Sequence, residues 1–352
     1  MKEAKGDAMI ELRLARTPLA WLRLSLASLL VGSLLLAALP VPAATAATVW
    51  DMPTPYPDNN FHTLNIKKFA EDVKSATGGG LVITVHPAGS LIKHPEIKNA
   101  VRSGVVPIGE FLLSRLANEN AIFEVDSVPF LATDYFQARD LWQVSRDAIV
   151  RLLDEQDLRV LFAVPWPPQG LYSAKPVYEV EALRGMKFRA YNAATERLAQ
   201  LVGGVPTQVE VPDIPQAFAT GRVDAMITSP STGAESQAWD YVKNFYNTQA
   251  WLPKNVVVVH KQVFQSLDEP TQTAILNAAA EAEERGWQMS VDETNEKMQV
   301  MRDHGMTVAD PAPALAQGLK EIGNVMTREW AERAGPEGAE IVRLFRAKHP
   351  AQ

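Results

Sequence analysis

Apolar and polar residues alternate from Met186 to Ala190. Met186, Phe188 and Ala190 are set against Lys187 and Arg189, which is the period of a half-buried strand. A helical pattern follows with Leu198, Leu201 and Val202 on one face, and Gly203-Gly204 ends it. Residues 205–211 read as the next strand, 212–220 as a short helix closed by Gly221, and 223–227 as a strand opening into the polar loop 228–233. This β-α-β-α-β order predicts parallel strands joined by crossover helices. In such sheets ligands sit at the carboxyl ends of strands, and both Arg189 and the loop holding Ser229 fall there.

The same rhythm opens the chain. Residues 48–52 read as a strand, and a helix over 61–76 is marked by Leu64, Phe69 and Val73. Another strand follows over 81–86. The glycines of Thr77-Gly78-Gly79-Gly80 lack a following Gly-Lys-Ser/Thr, so they predict a helix cap rather than a phosphate loop. A strand over 105–109 ends at Glu110, and an amphipathic helix over 135–153 precedes a strand over 158–164. That strand runs into Pro165-Trp166-Pro167-Pro168-Gln169-Gly170, a stiff turn expected to cross between domains.

Residues 239–246 read as helical, and the apolar strand 256–259 is expected to return to the first domain. Residues 270–301 predict one helix of roughly 45 Å, long enough to bridge two domains. Closing helices are expected over 315–330 and 338–346.

Composition narrows the class. Residues 1–47 combine a basic start, an apolar run over 24–39 and Ala44-Thr45-Ala46, the pattern of a cleaved secretory signal. Beyond it lie 29 basic and 38 acidic residues, a net charge of −9 that disfavours nucleic acid. The chain has no cysteine, which excludes disulfides, thiolate metal sites, a cysteine nucleophile and a lipid-modified N-terminal cysteine. These features predict a periplasmic protein that is free rather than lipid-anchored. No Gly-x-Ser-x-Gly or His-Glu-x-x-His motif is present, and the six histidines show no metal-ligand spacing. No catalytic, metal or cofactor site is therefore expected, and a periplasmic hydrolase is a minor alternative. His94 is the one histidine placed near a cleft.

Arg189 offers a planar fork suited to a carboxylate, although its position alone fits a surface ion pair equally well. At this point the chain resembles the dicarboxylate-type (DctP-like) solute-binding proteins of TRAP transporters. The resemblance covers nearly all of the chain after residue 47. It rests on Thr77-Gly78-Gly79, Pro87-Ala88-Gly89-Ser90-Leu91 and Val128-Pro129-Phe130. It rests most of all on Leu183-Arg184-Gly185-Met186-Lys187-Phe188-Arg189, with Gly203-Gly204-Val205-Pro206 and the stretch from Ala217 to Asp224.

The resemblance implies a two-domain α/β fold of the periplasmic-binding-protein (type II-like) class, with a cleft between domains and a long bridging helix. The expected division is 48–167 with 254–290 for domain I, and 168–253 with 291–346 for domain II. Arg189 is implied to hold the substrate carboxylate, Glu110 to reach polar substrate groups, and Ser229 to take the place of a ligand-contacting asparagine. Gln169 stands where many members carry a second arginine, which points to a monocarboxylate. Asn192, Tyr191, Trp166 and Trp251 complete the expected binding set, with Tyr172 and Trp239 also placed near the cleft. These aromatics suggest an organic acid with a hydrophobic or aromatic body. The implied partners are that small-molecule carboxylate and integral membrane TRAP subunits, with the receptor a monomer or weak homodimer. A ligand presenter for a membrane sensor kinase would share these features.

Overall fold

The computed structural model describes residues 47–350. The expected signal segment lies outside the described residues, Ala47 excepted. Among the described residues no helix is long and apolar enough to cross a membrane.

Strand Thr48–Pro53 pairs in parallel with Leu81–His86 across helix Phe61–Ala76. The Asn60 side chain caps that helix by accepting from the His62 N–H. At its far end Gly78 and Gly79 take φ of 58° and 82°, the left-handed conformation of a C-cap. Beside this pair lies a three-stranded sheet with Lys254–His260 at its centre, antiparallel to both Ile108–Leu112 and Leu158–Pro165.

The central strand is apolar on both faces because both faces are covered. Val257 and Val259 enter one core with Phe69 and Phe162, while Val256 and Val258 enter another with Phe111, Trp142 and Trp287. Each buried valine contributes about 1.5 kcal/mol or more of transfer free energy. A period of two on a central strand thus ties two helical layers to one sheet.

The second sheet has six strands, in the order Thr307–Ala309, Asn244–Tyr246, Gly170–Ser173, Ala225–Thr228, Lys187–Ala190 and Val205–Gln208. Lys187–Ala190 runs parallel to both neighbours, as the β-α-β-α-β pattern predicts, whereas Gly170–Ser173 is antiparallel to its own. The helix expected over 239–246 is not formed. A 3-10 turn at Ala238–Asp240 leads instead to strand Asn244–Tyr246.

Helix Glu269–Asp303 starts from Asp268, whose side chain accepts from the Thr271 N–H, with Pro270 in the first turn. It packs on Phe61–Ala76 and Leu158–Pro165, then on Pro230–Glu235 and Thr307–Ala309. It therefore runs along both halves of the α/β fold. The last helical segment, Pro313–Lys348, is broken at Gly335, whose φ of 64° precedes Pro336.

Candidate functional site

Arg189 lies on Lys187–Ala190, the strand flanked by two parallel neighbours, and only 2% of its surface is exposed. Its Nε donates to the Val209 carbonyl at 3.0 Å, and its guanidinium sits over the Tyr191 ring. Among the described residues no carboxylate lies within ion-pairing distance, and the Val209 carbonyl is the one acceptor its guanidinium finds. Burial lowers its pKa to about 10, although Tyr191 and Glu210 partly support the charge. Arg189 is therefore a buried cation whose open donors face a pocket.

That pocket comprises about 400 Å³ of empty space, its opening to solvent included. The sheet of Lys187–Ala190 supplies Arg189, Tyr191, Glu210, Thr228, Ser229 and Thr232 to its wall. The segments around the three-stranded sheet supply Leu112, Arg115, Trp166 and Pro253, with Tyr56 from a loop and His94 from the start of helix His94–Arg102. The Ser229 hydroxyl accepts from the Thr232 N–H at 3.0 Å, and the Tyr172 hydroxyl donates to the Ser229 carbonyl at 2.9 Å. The hydroxyl-bearing loop is thus fixed at both its side chain and its backbone.

Of the residues expected from sequence, Arg189, Gln169, Ser229, Tyr191 and Trp166 line the pocket, and His94 does too. Glu110, Asn192 and Trp251 are not brought to its wall, and each has a different employment. Glu110 accepts from Thr54 Oγ1 at 2.6 Å and Asn255 Nδ2 at 3.1 Å, and lies 3.4 Å from His62 Nδ1. Burial pushes its pKa up, but the contacts with His62, Thr54 and Asn255 together outweigh burial and hold it below the usual range. Asn255 Oδ1 in turn accepts from Tyr56 Oη and Trp166 Nε1, so Glu110 steadies two wall residues from behind.

Trp251 Nε1 donates to the Tyr191 hydroxyl at 3.2 Å, and that hydroxyl donates to Gln169 Oε1 at 3.2 Å. Asn192 caps helix Ala193–Leu201 through the Thr195 N–H and donates to Ser114 Oγ. Tyr172 and Trp239 also stay off the wall. Tyr172 holds the Ser229 loop, and Trp239 stacks on His304.

The sequence reading passed over Arg115 and Glu210. Arg115 Nη1 lies 3.0 Å from Glu210 Oε1, an ion pair, and donates to the Tyr191 carbonyl at 3.1 Å. His94 Nε2 accepts the Leu112 N–H at 3.2 Å, so its proton resides on Nδ1, 3.6 Å from Glu210 Oε2. Burial lowers the His94 pKa against the pull of Glu210. For Glu210, burial acts upward but His94 and Arg115 prevail, bringing it to about 2. The available signals were a lone arginine inside the apolar run Phe111-Leu112-Leu113-Ser114-Arg115-Leu116 and a glutamate between Val209 and Val211.

Among the described residues no group of three or more histidine and acidic side chains is placed to hold a metal. The arrangement can capture an anion. It has a buried guanidinium, a row of hydroxyls and an aromatic wall.

Comparison with known proteins agrees. The family described as bacterial extracellular solute-binding protein, family 7 (DctP), matches residues 54–333. The crystal structure of DctP7, a Bordetella pertussis extracytoplasmic solute receptor binding pyroglutamic acid, is 45% identical, covers 85% of this chain and 100% of its own, and superposes with a TM-score of 0.84. DctP6 of the same organism, also described as binding pyroglutamic acid, is 41% identical with the same coverage and TM-score. A marine metagenome TRAP solute-binding protein specific for pyroglutamate is 38% identical over 86% of this chain and 99% of its own, with a TM-score of 0.84. The chain belongs to family 7 of the bacterial extracellular solute-binding proteins, the receptors of TRAP transporters.

Proposed function

We propose that this receptor captures a compact monocarboxylate, pyroglutamate first among them, by seating the carboxylate on Arg189. The observation that carries the reading is the buried guanidinium with no counter-ion among the described residues. A cation withdrawn from water without a partner costs several kcal/mol, and a ligand carboxylate in bidentate contact offsets much of that. Three relatives of 38–45% identity whose descriptions name pyroglutamate support the choice of acid. The small lactam ring thereby takes precedence over the aryl acid expected from the tryptophans. Among the described tryptophans only Trp166 lines the pocket.

Binding is coupled to closure in this reading. The wall is divided between groups carried by the six-stranded sheet and groups carried around the three-stranded sheet. A ligand touching both favours the state in which both are near, and only through that differential affinity. The hinge is assigned to the crossings at 165–170 and 254–255, so that residues 48–167 with 254–290 move against 168–253 with 291–346. The closed form then delivers its acid to the membrane subunits of a TRAP transporter from the periplasm.

Isothermal titration of the chain from Ala47 onward with pyroglutamate, phenylpyruvate and succinate tests the proposal. Pyroglutamate is expected to bind one to one and more tightly than the other two. Tighter binding of succinate or phenylpyruvate, or no heat with any of the three, would sink it.

A further inference from the structure

Among the described residues six titratable side chains line the pocket, namely Tyr56, His94, Arg115, Arg189, Tyr191 and Glu210. Burial raises the pKa of both tyrosines, which keeps them neutral. The Leu112 N–H occupies His94 Nε2, so His94 cannot take a second proton without breaking that bond. What remains is two guanidinium groups and one carboxylate, a net charge of plus one. That balance matches a ligand with a single negative charge.

Arg115 and Glu210 come from different sheets. Arg115 follows strand Ile108–Leu112 of the three-stranded sheet, and Glu210 follows the edge strand Val205–Gln208 of the six-stranded one. Their contact at 3.0 Å uses the same nitrogen that donates to the Tyr191 carbonyl. Losing Glu210 would therefore leave Arg115 still tied to the wall. The pocket would then hold two available guanidinium groups, which suits a ligand with two carboxylates.

We infer that Glu210 sets selectivity for monocarboxylates by occupying Arg115, the other guanidinium lining the pocket. The inference rests on the reading that Arg189 receives a carboxylate. A dicarboxylate entering the wild type must displace Glu210 from Arg115 and bring its own second charge beside it, so it meets both a lost ion pair and a like-charge repulsion. In Glu210→Gln neither obstacle is present.

Titration of wild type, Glu210→Gln and the double variant Arg115→Gln/Glu210→Gln with pyroglutamate, succinate and glutarate decides the matter. Glu210→Gln is expected to bind succinate or glutarate at least about tenfold more tightly than wild type, and the double variant to lose that gain. A Glu210→Gln protein that binds pyroglutamate but gains nothing for either diacid overturns the inference. So does one that loses pyroglutamate without gaining a diacid, because Glu210 would then be a direct ligand contact. Should Glu210→Gln not fold, Arg115→Gln serves in its place. It strands Glu210 as an uncompensated anion and is expected to weaken pyroglutamate binding at least about tenfold, and an unchanged affinity overturns the inference. Failure of wild type to bind pyroglutamate is read before any variant and strikes the Arg189 reading instead.

Discussion

The Arg189 guanidinium lies over the Tyr191 ring, its carbon 5.0 Å from the ring centroid. Tyr191 is in turn pinned by Trp251 and Gln169. The ring face supplies favourable potential to a buried cation without neutralising it, so the guanidinium keeps its charge for an incoming anion. Hydrogen bonds to Trp251 and Gln169 thus hold the ring over which the Arg189 guanidinium lies.

Arg189→Ala is expected to weaken pyroglutamate binding by about 2–5 kcal/mol, the range for truncating one member of a buried charge pair. Arg189→Lys should recover only part of that loss, since an ammonium cannot make two parallel bonds to a carboxylate. Isothermal titration of the three proteins checks the order. Equal affinity of Lys and Arg forms would show that the contact is not bidentate.

Glu110 was expected at the ligand, and the structure gives it an internal role that can be separated by experiment. In Glu110→Gln the charge is lost, and one atom that accepts from Thr54 or Asn255 becomes a donor. Folding stability is expected to fall by about 1–3 kcal/mol, measured by urea denaturation. Pyroglutamate affinity should move far less, since Tyr56 and Trp166 still find Asn255. A large loss of affinity with unchanged stability would return Glu110 to the ligand.

Glu235 gives the protein a distinctive dependence on pH. Both its oxygens accept from Asn60 Nδ2 at 2.9 Å, and Glu293 and Lys297 of the long helix lie nearby. Burial is the main cause raising its pKa from 4.5 to about 7, with Glu293 adding to it and Asn60 and Lys297 opposing. Between those values the folded chain holds a proton that the unfolded chain has released. Its contribution is therefore complete below pH 4.5 and lost as pH rises through about 7. The amount is up to about 3 kcal/mol. Relative to Glu235→Gln, which does not titrate, wild type should lose that much stability across the window. Denaturation curves of the two proteins that stay parallel from acid to neutral pH would refute this.

The parts of this fold that were legible are those written in local period. Alternation from Met186 to Ala190 marked a strand flanked by parallel neighbours, and the run 256–259 marked the centre of the other sheet. The misreading at 239–246 has a clear cause. Ala238, Val242 and Phe245 all enter one core, a spacing that a helix would also produce, but here a 3-10 turn followed by a strand turns them inward. Arg189 was visible because a strand end and a family motif coincide on it. The Arg115–Glu210 pair was not, because a lone charge in an apolar stretch does not name its partner and only the meeting of two sheets brings these two together.

Gly286, in the middle of the long helix, sets intrinsic propensity against packing. Replacing a mid-helix glycine with alanine favours the helix by about 1 kcal/mol on propensity alone. A Cβ at Gly286, however, would stand 2.4 Å from Val164 Cγ2 and 2.7 Å from Asn65 Nδ2. Val164 is buried and β-branched on strand Leu158–Pro165, against which the helix packs, so its χ1 is restricted and it has little room to retreat. Asn65 Nδ2 is committed to the Ala282 carbonyl at 2.9 Å. Overpacking of this kind costs about 1–3 kcal/mol or more, so packing should prevail and Gly286→Ala should be destabilising. The double variant Gly286→Ala/Val164→Ala removes the nearest clash and should recover part of the loss relative to Val164→Ala alone. Urea denaturation of the four proteins measures both the sign and the coupling. A stabilised Gly286→Ala would mean that the helix can move off strand Leu158–Pro165 at little cost.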